Sequence, residues 1–155
     1  MSVDASSPAV PLLARRYDDL TVGDRQTTRG RTITETDIVM WCSLTGDWFW
    51  IHSDRERAER SSFGQRIAPG MMVWAFGAGL GVPPESATIV ANYGADRLRF
   101  TKPVLIGDTV HLEIEVLAKA DKQPGQGVVD LRWDLLNQRG ETVCASVVRV
   151  LQGAG

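Results

Sequence analysis

Apolar and polar positions alternate with period two through the C-terminal half of the chain. Val110, Leu112, Ile114 and Val116 interleave with His111, Glu113, Glu115 and Leu117, the pattern of a strand with one dry and one wet face. Strands are predicted over Ala87 to Tyr93, Arg97 to Phe100, Thr109 to Ala118, Gly127 to Leu136 and Thr142 to Leu151. Gly107-Asp108 marks a turn before the long strand, and Asn137-Gln138-Arg139-Gly140 a hairpin between the last two.

Upstream the period changes. Ile38, Trp41, Cys42 and Thr45 recur at helical spacing, with Thr34 and Asp37 placed to cap the start and Gly46 to end the helix. Ser53 or Asp54 then caps a short second helix containing Arg55 to Arg60, which leaves the eight residues Asp47 to Asp54 as a loop. Pro69-Gly70 introduces Met71 to Leu80, a run with hardly a polar face. A helix apolar all round belongs inside the molecule, and this one is far too short to cross a bilayer, so a sheet is expected to wrap it. Tyr17 to Thr34 reads as an irregular lead-in with a first strand around Gln26 to Ile33, and Met1 to Pro11, rich in Ser, Ala and Pro, as a mobile arm. The expected architecture is α+β: one domain from residue 12 to 155, with a mainly antiparallel sheet of five or six strands around one central buried helix.

Composition narrows the partners. The 155 residues are 43% apolar, enough for one core, and 17 basic against 19 acidic residues leave a formal charge of -2. So balanced a chain lacks the broad positive field that nucleic acid or an anionic membrane requires, although two or three local cations suffice for a phosphate-bearing small molecule. Cys42 and Cys144 lie in apolar-periodic segments, the setting of reduced core thiols. The first residues lack the basic start and apolar run of a signal peptide, so a soluble, cytoplasmic protein is expected.

Only two histidines are available as general acid or base. His111 falls on the wet face of its strand and reads as solvated. His52 follows Asp47 by five residues in the loop between helices, where a fold aims side chains into a cleft. Spacing alone leaves a plainer reading open, with Asp47 as helix terminator and His52 bonded to backbone. At Pro69-Gly70 the helix start offers unpaired N–H groups and a partial positive charge, and Gly70 lets an oxygen approach closely; alternatively Gly70 simply permits close packing.

Together these residues resemble a known family. Thr34-Glu-Thr-Asp37, Ser43-Leu-Thr-Gly46-Asp47 and His52 resemble the hydratase motif of MaoC-like dehydratases and (R)-specific enoyl-CoA hydratases. Ala68-Pro69-Gly70-Met71 is similar to the start of the central helix in that family's hot-dog fold, and Leu98-Arg-Phe100-Thr-Lys-Pro103-Val104 with Gly107-Asp108-Thr109-Val110 to its strand and turn. The resemblance implies that Asp47 and His52 activate a water that adds to the β-carbon of an enoyl thioester. It also implies that backbone N–H groups at Gly70 and Met71 polarise the thioester carbonyl. No metal or redox cofactor is called for, and coenzyme A enters as part of an acyl-CoA substrate. At least a homodimer is implied, with the acyl pocket near its interface.

One departure stands inside the motif. Where the family carries Asn-Pro, this chain has Phe49-Trp50. Trp48, Phe49 and Trp50 either shape an acyl pocket or serve as core or dimer-interface residues. Two other functions fit the same fold: an acyl-CoA thioesterase, with a carboxylate activating water at the carbonyl, and a non-catalytic acyl-binding subunit.

Overall fold

The computed structural model of the chain describes residues 10–155. The alternating segments form a meander of long strands, β4 (Thr109–Gln123), β5 (Gln126–Asn137) and β6 (Thr142–Gln152). β3 (Ile89–Phe100) pairs with β6 at one edge, and two short strands, β1 (Arg25–Thr27) and β2 (Arg31–Thr32), pair with β4 at the other. Every pairing is antiparallel. The dry face is where period two places it: Val110, Leu112, Ile114 and Val116 are 0–2% exposed. His111 lies on the other face with Nε2 3.8 Å from Glu113.

Helix α1 (Glu35–Thr45) has the predicted punctuation. The Thr34 hydroxyl accepts from the Asp37 N–H at 3.2 Å, and the Asp37 carboxylate accepts from the Thr34 N–H at 2.8 Å. At the other end Gly46 turns left-handed (φ 76°) and its N–H closes on the Cys42 carbonyl at 2.8 Å. Asp54 caps α3 (Arg55–Glu59) by accepting from the Arg57 N–H at 2.9 Å. Helix α4 (Gly70–Gly81) packs on β4, β5 and β6. Two of its glycines permit this approach: a Cβ on Gly77 would lie 2.8 Å from Trp133 Nε1, and one on Gly81 2.8 Å from Leu112 and Trp133. The six-stranded antiparallel sheet with α4 against it is the hot-dog arrangement, α+β as expected.

Four details differ from the sequence-based expectations. The strand placed at Gln26 to Ile33 is broken into β1 and β2, because Thr28 leaves the ladder: its N–H donates to the Leu112 carbonyl while its hydroxyl accepts from the Leu112 N–H. The segments at Ala87 to Tyr93 and Arg97 to Phe100 are one strand, bulged where Gly94 (φ 135°) and Arg97 (φ 55°) take positive φ. The expected eight-residue loop contains a helical turn, α2 (Trp50–Ser53). Helix α4 is not buried on all sides: Met72, Val73, Gly77, Leu80 and Gly81 face the sheet, whereas Met71 and Gly79 are exposed. The sheet covers one side of the helix only.

The expected arm, Met1 to Pro11, falls up to residue 9 outside the described residues. From Leu12 onward the lead-in is packed, and Lys119 holds it by donating to the carbonyls of Tyr17 and Leu20, each at 2.7 Å. Both cysteines are buried and unpaired, as expected of core thiols.

Candidate functional site

The site grows from the C-terminus of α1. Gly46 reverses the chain, Asp47 follows with its N–H on the Thr45 hydroxyl at 3.2 Å, and three residues later the chain re-enters helix as α2. Asp47 is exposed, and its carboxylate accepts no hydrogen bond from the described residues. Its charge is felt within α1 nonetheless. Burial pushes the Cys42 thiol up, the Asp47 carboxylate adds to that rise, and Arg66 opposes it.

His52 sits in α2, half-buried, with Nδ1 2.7 Å from the Ile67 carbonyl. A carbonyl accepts only, so Nδ1 is the donor in this contact, and in the neutral ring Nε2 is then the acceptor. The same stretch is tied a second time by the Ile67 N–H donating to the Ile51 carbonyl at 3.2 Å. The Ala68 N–H then donates to the Val104 carbonyl at 2.8 Å, Pro69 follows, and α4 begins at Gly70. The backbone that orients the imidazole is therefore the backbone that delivers the helix start. There Pro69 provides no side-chain cap, and the Gly70, Met71 and Met72 N–H groups precede the first intrahelical bond, Val73 N–H to the Pro69 carbonyl at 3.1 Å. The structure thus joins His52 to the Gly70 and Met71 segment. Asp47 makes no hydrogen bond to His52 and shares only the α1–α2 connection with it.

The three aromatics separate. Trp48 and Phe49 are exposed, and Trp50 is half-buried beneath the Arg57 guanidinium, 4.4 Å from the ring centroid. The Phe49 ring lies 5.4 Å from Trp50 and 6.2 Å, edge-on, from His52. Phe49 is the N-cap of α2 and Trp50 its first helical residue, the two positions at which Asn and Pro are the favoured residues. Asn and Pro at these two positions would signal a helix start, and here no side chain caps α2. Aromatic packing and Ser53, whose hydroxyl donates to the Trp48 and Phe49 carbonyls at 3.0 and 3.2 Å, hold the turn in its place.

Beside the helix start lies a half-open cleft of about 330 Å³ whose walls include Ile67, Ala68, Gly70 and Phe100. The Phe100 ring covers Gly70 so closely that a Cβ there would meet it at 2.8 Å. Sequence reasoning missed two participants. The Ile67 carbonyl leaves no trace in residue identity because it is backbone. Phe63 also lines the cleft and is presented by a tight turn in which Gly64 (φ 69°) bonds back to the Ser61 carbonyl at 3.1 Å.

The chain is similar to known proteins. The chain is 38% identical over 106 residues to Protein MaoC of Klebsiella aerogenes, the match covering 68% of this chain and 32% of that protein. It is 34% identical over 101 residues to the 3-hydroxyacyl-thioester dehydratase Z of Mycobacterium tuberculosis, covering 63% of this chain and 66% of that one. The chain thus spans less than two thirds of the length of both relatives. The solved structure of a MaoC-like dehydratase from Rhodospirillum rubrum superposes with a TM-score of 0.80 at 30% identity, covering 90% of this chain and 97% of the other. Residues 20–135, which hold α1, the Asp47 to His52 connection, α4 and most of the sheet, match the family model described as MaoC like domain, and the chain belongs to that family.

Proposed function

We propose that this protein is a hydro-lyase that adds water to, or removes it from, an enoyl thioester, interconverting enoyl-CoA and (R)-3-hydroxyacyl-CoA. One observation carries the reading. The carbonyl of Ile67, three residues ahead of the uncapped start of α4, holds His52 Nδ1 at 2.7 Å, so Nε2 is the ring nitrogen left for proton transfer. In the hydration direction, Nε2 and the Asp47 carboxylate hold one water. His52 Nε2 takes a proton from the water as its oxygen bonds to the β-carbon, the Cα=Cβ electron pair shifts so that negative charge gathers on the thioester oxygen, and as the enolate collapses the proton passes from Nε2 to the α-carbon. The N–H groups of Gly70 and Met71 stabilise the enolate oxygen. The names of the relatives, one of them a 3-hydroxyacyl-thioester dehydratase, support the same chemistry.

The working form in this proposal is at least a homodimer. β3 is an edge strand with exposed Val90, Tyr93 and Phe100, and an open edge with apolar side chains is the kind of surface a second copy covers.

Hydration of crotonyl-CoA, followed by loss of enoyl absorbance, tests the reading. The native protein is expected to turn over, and Asp47→Asn and His52→Ala to lose about 10²- to 10⁴-fold in kcat/KM while keeping the native circular dichroism. Folded variants that retain activity would remove both residues from the chemistry. Release of free thiol from a saturated acyl-CoA would instead identify a thioesterase.

A further inference from the structure

Asp47 and His52 act on one water in the proposed reaction, so where they stand relative to each other matters as much as what they are. A water bonded to both leaves the two groups about 5–6 Å apart, and a misplacement of about 1 Å in such an arrangement costs about 10²-fold in rate. Among the described residues no hydrogen bond joins the two side chains, and none is donated to the Asp47 carboxylate. The imidazole is fixed from its far side by the Ile67 carbonyl. Asp47 is therefore placed through its backbone.

Two hydroxyls hold that backbone. Upstream, Thr45 donates to the Trp41 carbonyl at 2.7 Å and accepts from the Asp47 N–H at 3.2 Å, which ties Asp47 to the end of α1. Downstream stands Ser53, half-buried and directly after His52. A helical serine ordinarily bonds back to the carbonyl three or four residues earlier. Ser53 does reach Phe49, at 3.2 Å, but its shorter bond, 3.0 Å, goes five residues back to Trp48, outside α2 and directly after Asp47. The backbone bond over the same stretch, from the His52 N–H, stops at the Phe49 carbonyl. Among the described residues the Ser53 hydroxyl thus makes the one hydrogen bond that runs from beyond His52 to the residue beside Asp47. Phe49, at the N-cap, has no side-chain acceptor with which to fasten α2 instead.

Resting on the hydro-lyase reading, we infer that Ser53 is a positioning residue, whose hydroxyl clamps the Trp48 carbonyl and so sets Asp47 against His52 for the water they share. It acts through the backbone of the connection and touches neither the water nor the thioester.

The test is kcat and KM for hydration of crotonyl-CoA in the native protein, Ser53→Ala and Ser53→Thr, and for Ser53→Ala repeated in an Asp47→Asn background. Ser53→Ala is expected to lower kcat by about tenfold, the upper range for loss of one hydrogen bond, with KM within about twofold of native. Ser53→Thr keeps the hydroxyl and should return kcat to within about threefold of native. In the Asp47→Asn background no carboxylate remains to be placed, so Ser53→Ala should cost less than about twofold, because residues that act as a unit are not additive. A lower melting temperature with native kcat in the folded variant would make Ser53 a stabilising residue only and overturn the assignment. An equal loss with and without the Asp47 carboxylate, or a threonine variant no better than alanine, overturns it too. If the native protein hydrates no enoyl-CoA, the hydro-lyase reading fails separately, and amide hydrogen exchange reads the clamp without substrate. Faster exchange confined to the Asp47 to Ser53 stretch in Ser53→Ala, reversed in Ser53→Thr, sustains the clamp; unchanged exchange overturns it.

Discussion

Helix α4 carries two glycines two residues apart whose replacement by alanine should act in opposite directions. Alanine favours a helix interior over glycine by about 1 kcal/mol, so propensity alone would stabilise both variants. At Gly79 nothing lies within 4 Å of the new methyl group, and the gain should be realised in full. At Gly77 the methyl would sit 2.8 Å from Trp133 Nε1 and 2.9 Å from Leu135 Cδ1, both side chains belonging to the buried core. Neither can swing away into solvent. Forcing such a contact costs about 1–3 kcal/mol, which cancels or reverses the propensity gain. Thermal unfolding by circular dichroism should therefore rank Gly79→Ala above native and Gly77→Ala below Gly79→Ala by about 1–3 kcal/mol, a gap of about 2–12 °C for a chain of this size. Urea titrations with matching slopes would establish that the native state is what changed. A Gly77→Ala protein as stable as Gly79→Ala would refute the close packing of α4 on Trp133.

Three further outcomes are expected. Asp108 is 4% exposed; burial alone would raise its pKa, but hydrogen bonds from Gln138, the Leu105 N–H and Arg139 outweigh this and hold the carboxyl below its usual range. A depressed folded pKa means stabilisation that is complete above the unfolded value of about 3.9 and lost as pH falls toward the folded one. Asp108→Asn should thus cost about 1–3 kcal/mol at neutral pH in denaturant titrations, with the difference from native narrowing below about pH 4; a constant gap would contradict the linkage. Thr34→Ala breaks the capping box and should cost about 0.5–2 kcal/mol in the same assay, and no loss would mean that the cap of α1 is dispensable. The thiols should resist an aromatic disulfide reagent until the protein unfolds, since burial pushes the Cys42 thiol up and Cys144 up to about 12; rapid labelling of the native protein would contradict their burial.

Much of this molecule was legible where short-range chemistry decides the outcome. Thr34, Asp37 and Gly46 punctuate α1 with their own side chains or lack of one, and period two gave the dry face of β4 residue by residue. Legibility failed where a distant partner decides. The break between β1 and β2 depends on Thr28 meeting Leu112 across the sheet, and nothing near Thr28 announces it. The turn α2 was read as loop because Phe49 and Trp50 replace the residues that would have signalled its start, and their compensation comes from Arg57 and Ser53. At the candidate site, Asp47, His52 and Gly70 were readable as residue types, whereas the Ile67 carbonyl and the cleft exist only once residues far apart in the chain are brought together.

The double tie at Ile67 has a consequence for variation within the fold. The excursion that leaves at His52 and carries α3 returns at Ile67, and its base is fastened by the Ile67 N–H and the Ile67 carbonyl alike. Lengthening a loop already closed at its base costs only logarithmically in chain entropy. Insertions and deletions beyond that base can therefore remodel whatever stands above the cleft, Phe63 included, while the imidazole stays where it is. The excursion can thus change length without loss of the histidine's orientation.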